Sequence, residues 1–259
     1  MGITKRTVLL ALALIATSLI AYRLLDHGPA SATATTVTMT DTPCNEKGQS
    51  ITGKARDDRA SLCLNRKANA RIAGQSPPPR IVLIGDSITA GWKTDNTEIV
   101  NRGIGGQTSQ QVLARFRQDV VGLKPRFVHI LVGTNDIAGN TGPISPEMFM
   151  NNVQSMVDIA RANGIEPVIG LVTPARQYDW VPGFSPSPWI TRLNAKLKDY
   201  ARENDLVVAD YQPVMTMPDG GIEETLFSDG AHPNKAGYAR MLPVLNKAIE
   251  EAEARGRRD

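Results

Sequence analysis

Few residue types are scarce enough in this 259-residue chain to exclude anything, but several are. There are two cysteines, Cys44 and Cys63, too few for a disulfide-dense scaffold. Histidine occurs three times, so neither a histidine-rich metal centre nor a choice among many catalytic bases is available. Charge of one sign is also lacking. The formal net charge is +3, and Lys5, Arg6 and Arg23 against Asp26 put +2 of it in the first 34 residues, leaving +1 for the rest. A near-neutral body without a basic face argues against nucleic acid as a partner. Long apolar runs are missing beyond the first segment, which excludes a multi-span membrane protein. What is present is ordinary globular composition, 41% hydrophobic and 21% charged, with about 225 residues after the first 34, enough for one sizeable core.

Residues 1–34 read as an export signal or membrane anchor. Lys5 and Arg6 precede an uncharged apolar run of 15 residues, Val8 to Tyr22. That pattern is read by the export machinery. Two outcomes fit: cleavage at the small residues Ala30-Ser31-Ala32 or Ala32-Thr33-Ala34, or retention as an anchor, with Leu24 and Leu25 extending the span while Arg23 snorkels. Either places the body outside the cytoplasm, periplasmic or extracellular, and the anchor is the one foreseen membrane contact. In an oxidising compartment Cys44 and Cys63 can bridge, the alternative being two free thiols. Residues 35–75 then form a polar linker and approach carrying that bridge, and 76–259 form the main domain. A monomer is expected.

From residue 80, apolar runs alternate with helical periodicity. Ile81 to Ile84, Phe127 to Val132, Pro167 to Val172 and Leu206 to Ala209 read as buried strands, and Glu98 to Asn101 as a weaker one. Thr108 to Val121, Pro146 to Asn163, Pro188 to Glu203 and Asn234 to Glu253 read as helices, the last kinked at Pro243. Strands apolar throughout, separated by helices, imply a parallel sheet covered on both faces. The fold class is therefore α/β, a three-layer α/β/α sandwich around about five parallel strands, with ligands expected at the carboxyl ends of the strands.

Four blocks fall at those ends. Gly85-Asp86-Ser87 follows the first strand; Asn101-x-Gly103-x-Gly105-Gly106 follows the second; Gly133-Thr134-Asn135-Asp136 follows the third; and Asp229-x-x-His232-Pro233 precedes the last helix. A serine hydroxyl becomes a nucleophile when a base takes its proton, and histidine is suited to that. A carboxylate on the other imidazole nitrogen fixes the tautomer. Asp229, three residues from His232, can reach it locally. The oxyanion of a tetrahedral intermediate needs donors, and the backbone N–H groups of Ser87 and Gly106 and the amide of Asn135 are available. Each residue also has a structural reading: Ser87 as a helix N-cap, the glycines as a tight turn, Asn135 as a loop brace, Asp229 as a helix cap. A dinucleotide loop would need glycine at 108, which is Thr108. Asp86 and Asp136 read as loop braces, His129 as a core residue, and His27 lies before the body. An α/β-hydrolase would need G-x-S-x-G, which is not present around Ser87.

The four blocks, in this order, resemble those of the SGNH hydrolases, the GDSL-type esterases and lipases, over about residues 80–250. Ile88 stands where the family name has leucine. The resemblance implies a flavodoxin-like sandwich, Ser87 as nucleophile, His232 as base, Asp229 as orienting acid, and Ser87, Gly106 and Asn135 as oxyanion donors, with no cofactor and no metal. It implies a serine esterase acting on small-molecule or carbohydrate acyl esters. Trp92, Trp180 and Trp189 lie near the blocks in sequence, with Tyr178 and Phe184, and their flat faces suit a sugar ring or an acyl groove; covering the core is the alternative. Export, aromatics and the lack of a long apolar lid favour short acyl groups, including carbohydrate O-acetyl esters. Lysophospholipase or broad esterase/thioesterase action is the alternative within the class, and a non-catalytic carbohydrate-binding envelope protein the alternative outside it.

Overall fold

Ile81–Gly85 (β1) is apolar at every position because it is covered on both faces. Ile81 and Leu83 enter one core and Val82 and Ile84 another, as the two-residue period of a strand requires. The computed structural model, which describes residue 40 and residues 42–256, carries this arrangement through the sheet. In chain order the longer elements are Arg66–Ile72 (α1), β1, Ser87–Ala90 (α2), Ile99–Gly103 (β2), Ser109–Asp119 (α3), Phe127–Leu131 (β3), Thr134–Ile137 (α4), Pro146–Arg161 (α5), Glu166–Gly170 (β4), Ser187–Glu203 (α6), Val207–Ala209 (β5), Gln212–Met215 (α7) and Lys235–Arg255 (α8). Among the described residues the strands form one parallel sheet in the order β2-β1-β3-β4-β5. This is the flavodoxin-like order, with its switch point between β1 and β3. The expected three-layer sandwich is present.

The helices divide by face. Val112 and Phe116 of α3, Phe149, Val153 and Val157 of α5, and Ile190, Leu193 and Leu197 of α6 share a core with Val82, Ile84, Val128 and Ile130. Met241, Leu245, Ala248 and Ile249 of α8 share the other with Ile81, Leu83, Phe127 and Val207. Helix α8 carries Pro243 inside it, within the expected final helix. β2 extends to Gly103, beyond the expected end at Asn101, because Arg102 is buried and its guanidinium is satisfied in part by Asn69 Oδ1 at 2.7 Å and Asn101 O at 2.9 Å.

The polar approach is more ordered than its composition implied. Cys44 and Cys63 are bridged. Asn69 of α1 is buried, donating to Asp119 Oδ1 at 2.6 Å and to Gln118 O at 3.1 Å while accepting from Arg102. Gln107, Gln111 and Gln118 donate to the carbonyls of Ala60, Arg59 and Leu62. Single polar anchors of this kind leave no apolar periodicity to read. Residues 1–34, expected as signal or anchor, lie outside the described residues. No helix among the described residues is long and apolar enough to cross a membrane.

The bridge closes a loop with a sequence separation of 19. Replacing both cysteines with serine is expected to lower stability by about 3 kcal/mol in the chain-entropy model, read as a lower urea midpoint.

Candidate active site

The turn after β1 is built for close approach. Asp86 caps α2, its side chain accepting from the Ile88 N–H at 2.9 Å, so Ser87 occupies the first helical position rather than the cap. A Cβ on Gly103 would fall 2.1 Å from the Ala90 nitrogen, so glycine there lets β2 lie against α2. Gly106 has φ +77°, the left-handed region, where the chain turns back toward Ser87. A Cβ at Gly105 would lie 3.9 Å from Ser87 Cβ, so the glycine loop borders the hydroxyl.

Ser87 Oγ lies 2.9 Å from His232 Nε2. His232 Nδ1 lies 2.8 Å from Asp229 Oδ2. The carboxylate accepts from Nδ1–H, which leaves Nε2 free to accept from the serine. The other oxygen, Asp229 Oδ1, accepts from the backbone N–H of Ala231 and of His232, each at 2.7 Å. Partial burial raises the carboxyl pKa, but the two backbone donors and the imidazole outweigh it, and the group sits below its ordinary value. Asp229 is thus an ionised partner for the imidazole and not a cap of α8. That role falls to Asn234, whose Oδ1 accepts from Ala236 and Gly237.

Asn135, buried in the first turn of α4, donates to Gln107 O at 3.0 Å, and its carbonyl accepts from Asn140 at 2.7 Å. Asn140 also donates to Gly106 O at 3.2 Å. One amide hydrogen of Asn135 remains for another acceptor. Beneath this loop, Arg115 of α3 is wholly buried. Its guanidinium donates to Gln107 Oε1 at 2.5 Å, Arg102 O at 2.7 Å, Gly85 O at 2.8 Å and Asp119 Oδ2 at 2.9 Å. It therefore ties the end of β1, the glycine loop and α3 together. Asp136 accepts from the Ser109 N–H and hydroxyl, and Asp86 caps α2, so both brace loops as expected. Burial drives the Asp86 carboxyl up to about 7; Ile88 N–H and Arg115 pull it down, and the neighbouring Asp136 pushes it up.

The tryptophans separate. Trp180 is 39% exposed, its ring centroid 5.6 Å from that of His232, and it stacks at 4.8 Å on buried Tyr178, which in turn faces Phe184. Trp92 is only 4% exposed, in edge contact with His129 and Tyr211 and tilted against Tyr238; it walls the cavity beside Ser87 and offers no open stacking face. Trp189, 41% exposed, lies beneath the Arg192 guanidinium in a different cavity, bordered by Asp136 and Leu193, and is not brought to Ser87. His129 is a core residue. Burial lowers its pKa to about 3, Tyr211 Oη lies 2.9 Å from Nε2, and Nδ1 has no hydrogen-bond partner among the described residues.

Arrangements of this kind can transfer a proton from a hydroxyl to an imidazole and hold an oxyanion beside it. The family model described as GDSL-like Lipase/Acylhydrolase matches residues 83–240. The chain belongs to the GDSL-like lipase/acylhydrolase family. A GDSL-like lipase from Bacteroides thetaiotaomicron is similar in structure, with TM-score 0.69 and 34% identity over 74% of this chain and 98% of that one. Esterase TesA of Pseudomonas aeruginosa is 26% identical over 203 residues, 71% of this chain and 94% of the relative. The lipoprotein YqeF of Bacillus subtilis is 38% identical over 77 residues, 29% of this chain and 32% of that one, so the match spans about a third of that relative. As a member of the GDSL-like family, the chain is an ester hydrolase.

Sequence reading missed Arg115, Asn140 and Tyr238 in this GDSL-like hydrolase. Arg115 had a signal: with Asp119 it forms an i,i+4 pair of opposite charge on the same face of α3 as Val112 and Phe116. Truncating one member of a buried pair strands the other. Arg115→Met is expected to cost about 3–5 kcal/mol, measured by urea unfolding; a loss under 1 kcal/mol would contradict the strut.

Proposed function

We propose that this GDSL-like hydrolase is a serine esterase for short acyl esters, including carbohydrate O-acetyl esters, working through an acyl-enzyme on Ser87. The observation that carries the reading is the unbroken chain from Ser87 Oγ through His232 to Asp229, at 2.9 and 2.8 Å. His232 Nε2 takes the Ser87 proton as Oγ forms its bond to the acyl carbon. The carbonyl electrons move onto oxygen, where the N–H groups of Ser87 and Gly106 and the free amide hydrogen of Asn135 are the proposed donors. The tetrahedral species collapses, the C–O bond to the alcohol breaks, and the alcohol leaves with the proton held on Nε2. Water repeats the sequence: it gives a proton to Nε2 as its oxygen bonds the acyl carbon, and Oγ leaves with that proton. Asp229 stays ionised and stabilises the imidazolium.

The sugar leaving group is supported by Trp180, whose half-open ring beside His232 can stack on a pyranose. The apolar run Val8 to Tyr22 behind Lys5 and Arg6 supports export of the body, by cleavage or as a tethered form.

With the full-length chain, p-nitrophenyl acetate is expected to be hydrolysed faster than the octanoate and the palmitate; palmitate first would favour the lysophospholipase or broad-esterase reading. Ser87→Ala and His232→Ala should each remove nearly all turnover, and Asn135→Ala should cost about 10²–10³ in kcat. Full activity in Ser87→Ala would overturn the assignment.

A further inference from the structure

A cavity of about 630 Å³ opens directly from Ser87 and His232. Its walls are apolar: Trp92 and Pro233 are buried, Tyr238 is half-buried, and Leu242 of α8 is 39% exposed. Two lysines, Lys93 and Lys235, line it and are exposed. Neither forms an ion pair among the described residues, in contrast to Lys67 and Lys198, which have acidic partners. No aspartate or glutamate is among the lining residues. Helix α8, 21 residues long, begins at the same wall, its second and third N–H groups capped by Asn234, so the positive end of its dipole adds to the two ammonium charges.

A second cavity, of about 310 Å³, differs. Its one basic lining residue, Arg176, is paired with Glu224 at 3.3 Å, so that wall is balanced. The two lysines without an ion pair therefore lie beside Ser87, between α2 and the start of α8, with Asp229 behind His232 as the nearby carboxylate. Tyr238 fixes these two walls relative to each other, its hydroxyl donating to Ile88 O at 2.7 Å. An apolar trough with cationic groups on it and no carboxylate matches a molecule having an apolar or ring portion next to the ester and a negative charge beyond it.

We propose that Lys93 and Lys235 form an anion-recognition subsite that directs the enzyme to esters bearing a carboxylate or phosphate. The inference rests on the esterase reading above. A substrate whose ester carbonyl is at Ser87 would lay its ring against Tyr238 and Leu242 and bring its charge to the lysines. The effect is electrostatic and partly exposed, so it is moderate and weakens with salt.

The test compares 4-acetoxybenzoate with its neutral methyl ester, and adds 4-acetoxyphenyl phosphate as a second anion. The full-length wild type is expected to favour the anions, and Lys93→Gln/Lys235→Gln should lower the ratio of anionic to neutral kcat/KM about fivefold. Because the readout is a ratio within each protein, partial loss of active enzyme leaves it intact. A larger fall for the phosphate assigns the subsite to phosphates, and a larger fall for the benzoate to carboxylates. Added sodium chloride should shrink the wild-type ratio and leave that of the double variant nearly constant. A ratio unchanged by the double substitution, or a wild type favouring the neutral ester, would overturn the subsite while leaving the esterase reading intact; no hydrolysis of any of the three esters by the wild type would overturn both.

Discussion

Ser87 and His232 are 145 residues apart in sequence and 2.9 Å apart in space. A hydrogen bond between a hydroxyl and an imidazole is worth little by itself, and in a flexible chain it would not form. Here it is held from both sides. Ser87 is fixed at the end of a strand buried on both faces, by a turn that Asp86 caps. His232 is fixed by Asp229 on one ring nitrogen and by an antiparallel bridge between Phe227 and Pro233 behind it. Tyr238 then joins the helix after His232 to the helix that starts at Ser87. The parallel sheet order puts both anchors on the same edge, so the fold supplies the geometry and local hydrogen bonds supply the last ångström.

Below that contact lies a buried polar layer. Arg115, Gln107 and Asn135, joined by the exposed Asn140, link the end of β1 to the glycine loop and to α4. Such a layer is costly if any member is unpaired, and stiff when all are paired. Nearly every donor on Arg115 has an acceptor, whereas Arg102 Nη2 has none among the described residues. The disulfide-closed approach reaches the same layer, since the Ala60 carbonyl accepts from Gln107. A segment that reads as a linker thus braces the loop beside Ser87.

What was legible in the sequence followed from strong periodicity and from chemistry-bearing residues at strand ends. β1 and β3 are solid apolar runs, and the register pairs them residue for residue. The four motif blocks named Ser87, Gly106, Asn135, Asp229 and His232, and the structure brings Ser87, His232 and Asp229 into contact. The illegible parts are those where polarity is buried. The end of β2 was placed too early because Arg102 looks like a loop residue, yet Asn69 receives it across 33 positions. Trp92, close to Ser87 in sequence, looked like a stacking platform, but the chain leaving α2 buries it in the aromatic cluster with His129 and Tyr211. Trp189 follows the same loop as Trp180, but the start of α6 carries it to a separate cavity. Composition and spacing do not encode such directions; packing does.

The central claim is that the Ser87 hydroxyl is a nucleophile made reactive by His232. Covalent labelling reads this without reference to any substrate. The full-length protein treated with a fluorophosphonate, then digested and examined by peptide mass spectrometry, should carry one adduct, on Ser87, and His232→Ala should slow its formation by several orders of magnitude. An unlabelled Ser87, an adduct on a different serine, or equal labelling rates with and without the His232 imidazole would contradict the account.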